Sequence, residues 1–182
     1  MKTMSTVALA LCALAAPPLA MAAPVDFECD VPPNRASYVD QAVPGPAAAV
    51  SGVVSFVLAR GGRFSPSGSV KVADGADGVH VALQMIGVAK SALKEDSPPG
   101  SDYYSIYMLT KGPAGQSRKL LGKLAPTSAN LPFSVGVTAE GLASVKLGAL
   151  GSTARLAPLG AMPKARILCS GGQFSFKGIE AR

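Results

Sequence analysis

From residue 25 onward the apolar residues recur at every second position, and almost nowhere with the 3.6-residue spacing of a helix. In "VDFECDV" Val25, Phe27, Cys29 and Val31 alternate with Asp26, Glu28 and Asp30. In "LPFSVGVTAEGLASVKLG" Phe133, Val135 and Val137 alternate outward, Glu140-Gly141 turns the chain, and Val145 and Leu147 alternate on the return. "KARILCSGGQFSFKGIEA" is strand, turn, strand, with Ile167 and Cys169 on one face and Phe174 and Phe176 on another. A period of two places successive side chains on opposite faces of a sheet, so each segment has one face to bury. Gly, Pro, Asn and Asp punctuate these segments, and roughly ten to twelve short strands result, the pattern of an all-β sandwich or barrel. "VSGVVSFVLA" reads as a strand buried on both faces, and "SVKVADGADGVHVALQMIGVAK" as two strands joined at Asp74 to Gly78. The longest loops fall in "PPNRASYVDQAVPGPAAA", with a strand around Ser37 to Ala42, and in "KEDSPPGSD".

The N-terminus has a different character. Lys2 precedes the uncharged apolar run Val7 to Ala16, and Ala20-Met21-Ala22 matches a small-x-small cleavage site. Residues 1–22 therefore read as a Sec-type signal peptide of a bacterial periplasmic or secreted protein, and residues 23–182 as one domain. Pro17 and Pro18 interrupt the run well short of the roughly 20 residues a membrane span needs. Cleavage removes Cys12 and leaves Cys29 and Cys169. An even pair in an exported chain reads as a disulfide. Each cysteine is in phase with inward-facing neighbours, so both point into the sandwich, one from the first strand and one from a late strand; if those strands are neighbours, the bridge ties the two chain ends together inside the core.

The chain carries 17 Lys and Arg against 11 Asp and Glu, a net charge of +6 that becomes +5 without Lys2. The cations are scattered, densest at Arg118, Lys119 and Lys123, and no basic run interleaves with aromatics. That pattern gives no support to a nucleic-acid partner.

The hairpin "FSVGVTAEGLASVKLG", followed by "CSGGQFSFKGIE", resembles the end of a concanavalin A-like (laminin G-like) jelly-roll sandwich. The resemblance covers the last fifty or so residues together with "VSGVVSFVLA". It implies an antiparallel jelly roll in which the closing strand, Gln173 to Ile179, pairs beside the N-terminal strand, Val25 to Val31. Lectins, carbohydrate-binding modules, hydrolases, lyases and structural modules share that fold, so it does not decide function. The hydrolases of the superfamily carry "E-x-D-x-x-E" on a strand, and this sequence has no such run.

Candidate chemistry is sparse. Asp26, Glu28 and Asp30 have strand spacing that a glycosidase pair could use. They read more simply as a solvated stripe facing Lys164, Arg166 or Lys177. His80 is the only histidine, so an imidazole base has one candidate; its place in "GVHVAL" reads as structural. Asp74 and Asp77 resemble part of a calcium loop but lack the remaining ligands. No metal or cofactor is implied. The distinctive segment is "SDYYSIYM", which holds three of the four tyrosines. Tyr103 and Tyr107 share one face, and Tyr104 lies on the other. Tyrosine pairs an apolar ring face with a hydroxyl, as a sugar platform requires. The reading is a non-catalytic exported module that binds an envelope or extracellular glycan through Tyr103 and Tyr107, with Arg118 and Lys119 meeting anionic groups. The alternatives are an envelope assembly protein recognising another protein, and a divergent glycan-active enzyme.

Overall fold

The computed structural model describes residues 23–59, 65–88, 103–160 and 162–182. The expected signal peptide and the loop "KEDSPPGSD" lie outside them. The described residues form twelve strands and no helix: β1 (Val25–Asp30), β2 (Ala36–Ala42), β3 (Ala48–Ala59), β4 (Ser67–Ala73), β5 (His80–Gly87), β6 (Tyr104–Gly112), β7 (Gly115–Leu124), β8 (Thr127–Val137), β9 (Leu142–Leu147), β10 (Leu150–Arg155), β11 (Lys164–Ser170) and β12 (Gly172–Ala181). Among these residues no helix is long and apolar enough to cross a membrane.

Two antiparallel sheets of six strands pack face to face. Sheet I has the order β1-β12-β3-β8-β9-β10, and sheet II the order β2-β11-β4-β5-β6-β7. The first and last strands are neighbours, with Cys29 opposite Phe174 and Phe27 opposite Phe176. This is the jelly-roll arrangement that the alternation and the resemblance led one to expect.

The period-two pattern becomes the core. Phe56, Phe174 and Phe176 from sheet I and Val70, Leu83, Tyr104 and Ile106 from sheet II are all at most 1% exposed. Tyr104 crosses the interlayer gap, 4.8 Å from Phe56 and 5.6 Å from Phe174 between ring centres. Gly68 of β4 makes room for this cluster: a Cβ there would lie 2.7 Å from the Phe174 ring. Gly141 closes the β8–β9 turn at φ +79°, where its missing Cβ avoids both strain and the Leu156 carbonyl.

The disulfide Cys29–Cys169 is present, with Cα atoms 6.5 Å apart. It is the expected pair, buried in the core, and it joins strands that are not neighbours within a sheet, the condition left open by the sequence. β1 lies in sheet I and β11 in sheet II, so the bridge ties the two layers together rather than neighbouring strands of one sheet. Phase within a strand reveals the face a residue occupies, not the layer it belongs to. β3 differs from expectation, because Val57 is 49% exposed and the strand is not buried on both faces throughout.

Candidate functional site

The outward face of sheet II carries the densest set of functional side chains. Alternation along each strand sends Val70, Val81, Ile106 and Ile167 inward, and their neighbours outward. Register then lines the outward residues up in rows across the strands. One row runs Asp40, Arg166, Lys71, Ala82, Leu109, Arg118 from β2 to β7. The next runs Tyr38, Leu168, Ser69, Gln84, Tyr107, Leu120. Small residues in the middle of the sheet leave a depression of about 320 Å³ lined by Ser69, Lys71, His80, Gln84, Leu109 and Arg166. A second depression of about 160 Å³ shares Lys71 and Arg166 and reaches Asp40, Asp74, Asp77 and Lys164.

The β4–β5 turn organises one end of this groove. Asp74 accepts hydrogen bonds from the backbone N–H of Gly78 at 2.7 Å and of Val79 at 3.1 Å, which consumes its carboxylate in shaping the turn. Asp77, at φ 56°, accepts from Lys71 Nζ at 2.9 Å and lies 3.1 Å from His80 Nδ1, while its carbonyl accepts from Lys111 Nζ at 3.0 Å. Burial alone would raise the Asp77 pKa; Lys71 and His80 outweigh it and hold the carboxyl below its ordinary value. His80 moves down as well. Burial of the imidazole dominates, and Lys71 and Lys111 add to it, against the opposing pull of Asp77. The ring is therefore neutral near pH 7. With Nδ1–H donated to Asp77, Nε2 is left as the basic nitrogen. Among the described residues no group of His, Cys, Asp and Glu could hold a metal ion.

Tyr103 and Tyr107 lie on this outward face, and Tyr104 is fully buried on the other. Neither outward ring is bare. The Arg118 guanidinium sits 3.6 Å above the Tyr107 ring centre, and Lys123 Nζ 4.3 Å above that of Tyr103. Lys119 parts from the other three. It follows Arg118 on β7 and so points the opposite way, donating to Ser152 Oγ of sheet I at 2.9 Å. There it bridges the open margin between the sheets.

Tyr38, Lys71, Gln84 and Lys111 join this face without any local sequence signal that groups them. Tyr38 is 59% exposed, and Arg166 lies 4.6 Å above its ring while donating to both oxygens of Asp40 at 2.7 Å. The alternation in "ASYVDQA" and "SVKVA" does assign these side chains to outward faces. Nothing in it shows that β2, β11 and β4 are neighbours.

The acidic stripe is elsewhere. Asp26 accepts from the backbone N–H of Gly178 at 2.8 Å, and Glu28 lies 3.8 Å from Lys177 Nζ, both on sheet I. Lys164 and Arg166, the other expected partners, are on sheet II.

The fold is a jelly-roll β-sandwich. The chain is similar in structure to an alginate lyase from Alteromonas sp. 272, with a TM-score of 0.57 at 9% identity over 91% of this chain and 89% of that one. It is also similar to a carbohydrate-binding module from Bacillus subtilis (TM-score 0.49, 8% identity, 90% of this chain and 97% of that one). An alginate lyase from Pseudomonas aeruginosa follows (TM-score 0.48, 13% identity, 75% and 64%). At these identities the likeness is one of fold. No protein-family model matches the sequence, and no curated protein matches it.

Proposed function

We propose that this chain is an exported module that binds an anionic glycan on the outward face of sheet II. One observation carries the reading: among the described residues, Lys71, Lys111, Arg118, Lys123, Lys164 and Arg166 gather on this face against Asp40, Asp74 and Asp77. A basic face with a groove raises the local concentration of a polyanion and orients it. Guanidinium groups stacked on tyrosines keep their edges for carboxylate or sulfate groups, which they take in two parallel N–H···O bonds. Gln84 and Ser69 on the groove floor offer neutral partners for hydroxyls. The fold likeness to a protein described as an alginate lyase is compatible with a glycan ligand. Tyr103, Tyr107 and Arg118 belong to this reading, and Lys119 does not. Electrophoresis through gels containing polygalacturonate tests it. Retardation of the wild type that is relieved by Arg118→Gln with Lys71→Gln supports it, and unretarded wild-type migration opposes it.

A second reading, a glycan-active enzyme, is favoured by the Asp77–His80 pair. A neutral imidazole fixed through Nδ1 in a groove of cations is a competent general base. Release of new chain ends from polygalacturonate or alginate, abolished in His80→Ala, would establish it. A wild type that binds these polymers without cleaving them leaves the binding module.

A further inference from the structure

Tyr38 and Tyr107 occupy the same register row on opposite flanks of sheet II, linked through Leu168, Ser69 and Gln84. Four strand-to-strand steps separate them, which at the usual spacing is about 19 Å. Each ring has a guanidinium over it, Arg166 at one end and Arg118 at the other. Between them lies the groove with its floor of Ser69, Ala82 and Gln84. We infer that Tyr38 with Arg166 forms a second anion-binding subsite, paired with Tyr107 and Arg118, and that one extended polyanionic glycan crosses the strands to engage both. The inference rests on the anionic-glycan reading and deepens it by naming the ligand's direction, its minimum length and two further contact residues.

Three observations favour this path. Asp40 takes Nε and one Nη2 hydrogen of Arg166, so the guanidinium is held in place while other N–H groups remain for a ligand. Tyr38 is exposed, so it contributes contact surface without being part of the core. The row between the tyrosines holds Leu168, Ser69 and Gln84 and no charged residue, so a chain laid along it meets Arg118 at one end, the Asp40-paired Arg166 at the other, and an apolar, a hydroxyl and an amide side chain between. The competing path runs along β6 and β7, from Tyr107 with Arg118 to Tyr103 with Lys123.

Calorimetric titration with oligogalacturonates from the dimer to the decamer, in low-salt buffer, separates these paths. The expected result for the wild type is a rise in affinity of at least about tenfold once the oligomer reaches both pairs. Tyr38→Ala should remove that step. The pair Arg166→Gln with Asp40→Asn, which leaves no unpartnered charge, should do the same. An unaltered step in Tyr38→Ala overturns the inference, as does a step abolished by Lys123→Ala alone; either leaves the glycan-binding face intact. A wild type that binds neither the oligomers nor the parent polymer overturns both.

Discussion

The guanidinium carbon of Arg118 lies 3.6 Å from the centre of the Tyr107 ring, on the outward face of a sheet whose inward face is the core. A cation in this position gains about 0.5 to 1 kcal/mol at an exposed site. Its larger consequence is orientation, since the stacked guanidinium presents its edge to an approaching anion. Arg118→Ala should therefore weaken binding of a polyanionic glycan about tenfold or more. Because the side chain is exposed, stability should fall by no more than the contact itself contributes, about 0.5 to 1 kcal/mol. Titration calorimetry beside urea denaturation checks both.

The Cys29–Cys169 bridge spans a sequence separation of 140 residues and joins the two layers. In the chain-entropy account a loop of that size contributes about 4 to 5 kcal/mol, through restriction of the unfolded chain. Replacing both buried cysteines by Ala should lower the denaturation midpoint strongly, and reductant should move the wild type but not the double variant. Denaturation with and without reductant checks this.

Gly68 and Phe174 meet across the sandwich. Gly68→Ala should destabilise by about 1 to 3 kcal/mol, as overpacking does. Phe174→Leu should relieve part of that cost, so the two changes together should cost less than their sum. A double-mutant cycle by urea denaturation measures the coupling.

His80 makes stability depend on pH. Its folded pKa lies below the unfolded value of about 6.5. Between the two values the unfolded chain binds more protons, so stability falls as pH drops through about 6.5 and levels off below the folded pKa. Asp40 is held low by the hydrogen bond from Arg166, and Asp77 by Lys71 and His80 against the effect of its burial. Their contributions are present above the unfolded carboxyl value and are lost on further acidification, as pH falls through the folded values. His80→Gln should flatten the profile near pH 6 and leave the acidic limb. Urea midpoints measured from about pH 2 to pH 8 check both limbs.

How much of this was legible in the sequence depends on whether the signal was local. Phe174 and Phe176, or Val135 and Val137, announce their strands because large apolar residues alternate with polar ones. β10 does not. "LGSTAR" offers one large apolar residue and was passed over, yet it pairs with β9 along its whole length. β7 extends well beyond "RKLLGKL", because its first residues are exposed at a sheet edge and carry no apolar pattern. Arg118 and Lys119 looked like one basic pair, but strand alternation sends one to the groove and the other to Ser152. The Tyr38, Asp40 and Arg166 group joins β2 to β11 across 126 residues of sequence. No single-sequence pattern reports that pairing, and with it went half of the candidate site.

We propose that the outward face of sheet II holds an anionic glycan. The most direct measurement is the thermal-unfolding midpoint of the oxidised protein with polygalacturonate, dextran sulfate or neutral dextran, at low and high salt. A ligand at a hundred times its dissociation constant adds about 2.7 kcal/mol to stability. The expected result is a higher midpoint with a polyanion, reduced by salt and absent in the Tyr107→Ala, Arg118→Ala double variant, with no response to neutral dextran. No shift with either polyanion at low salt, or a shift that survives both salt and the double variant, would contradict it.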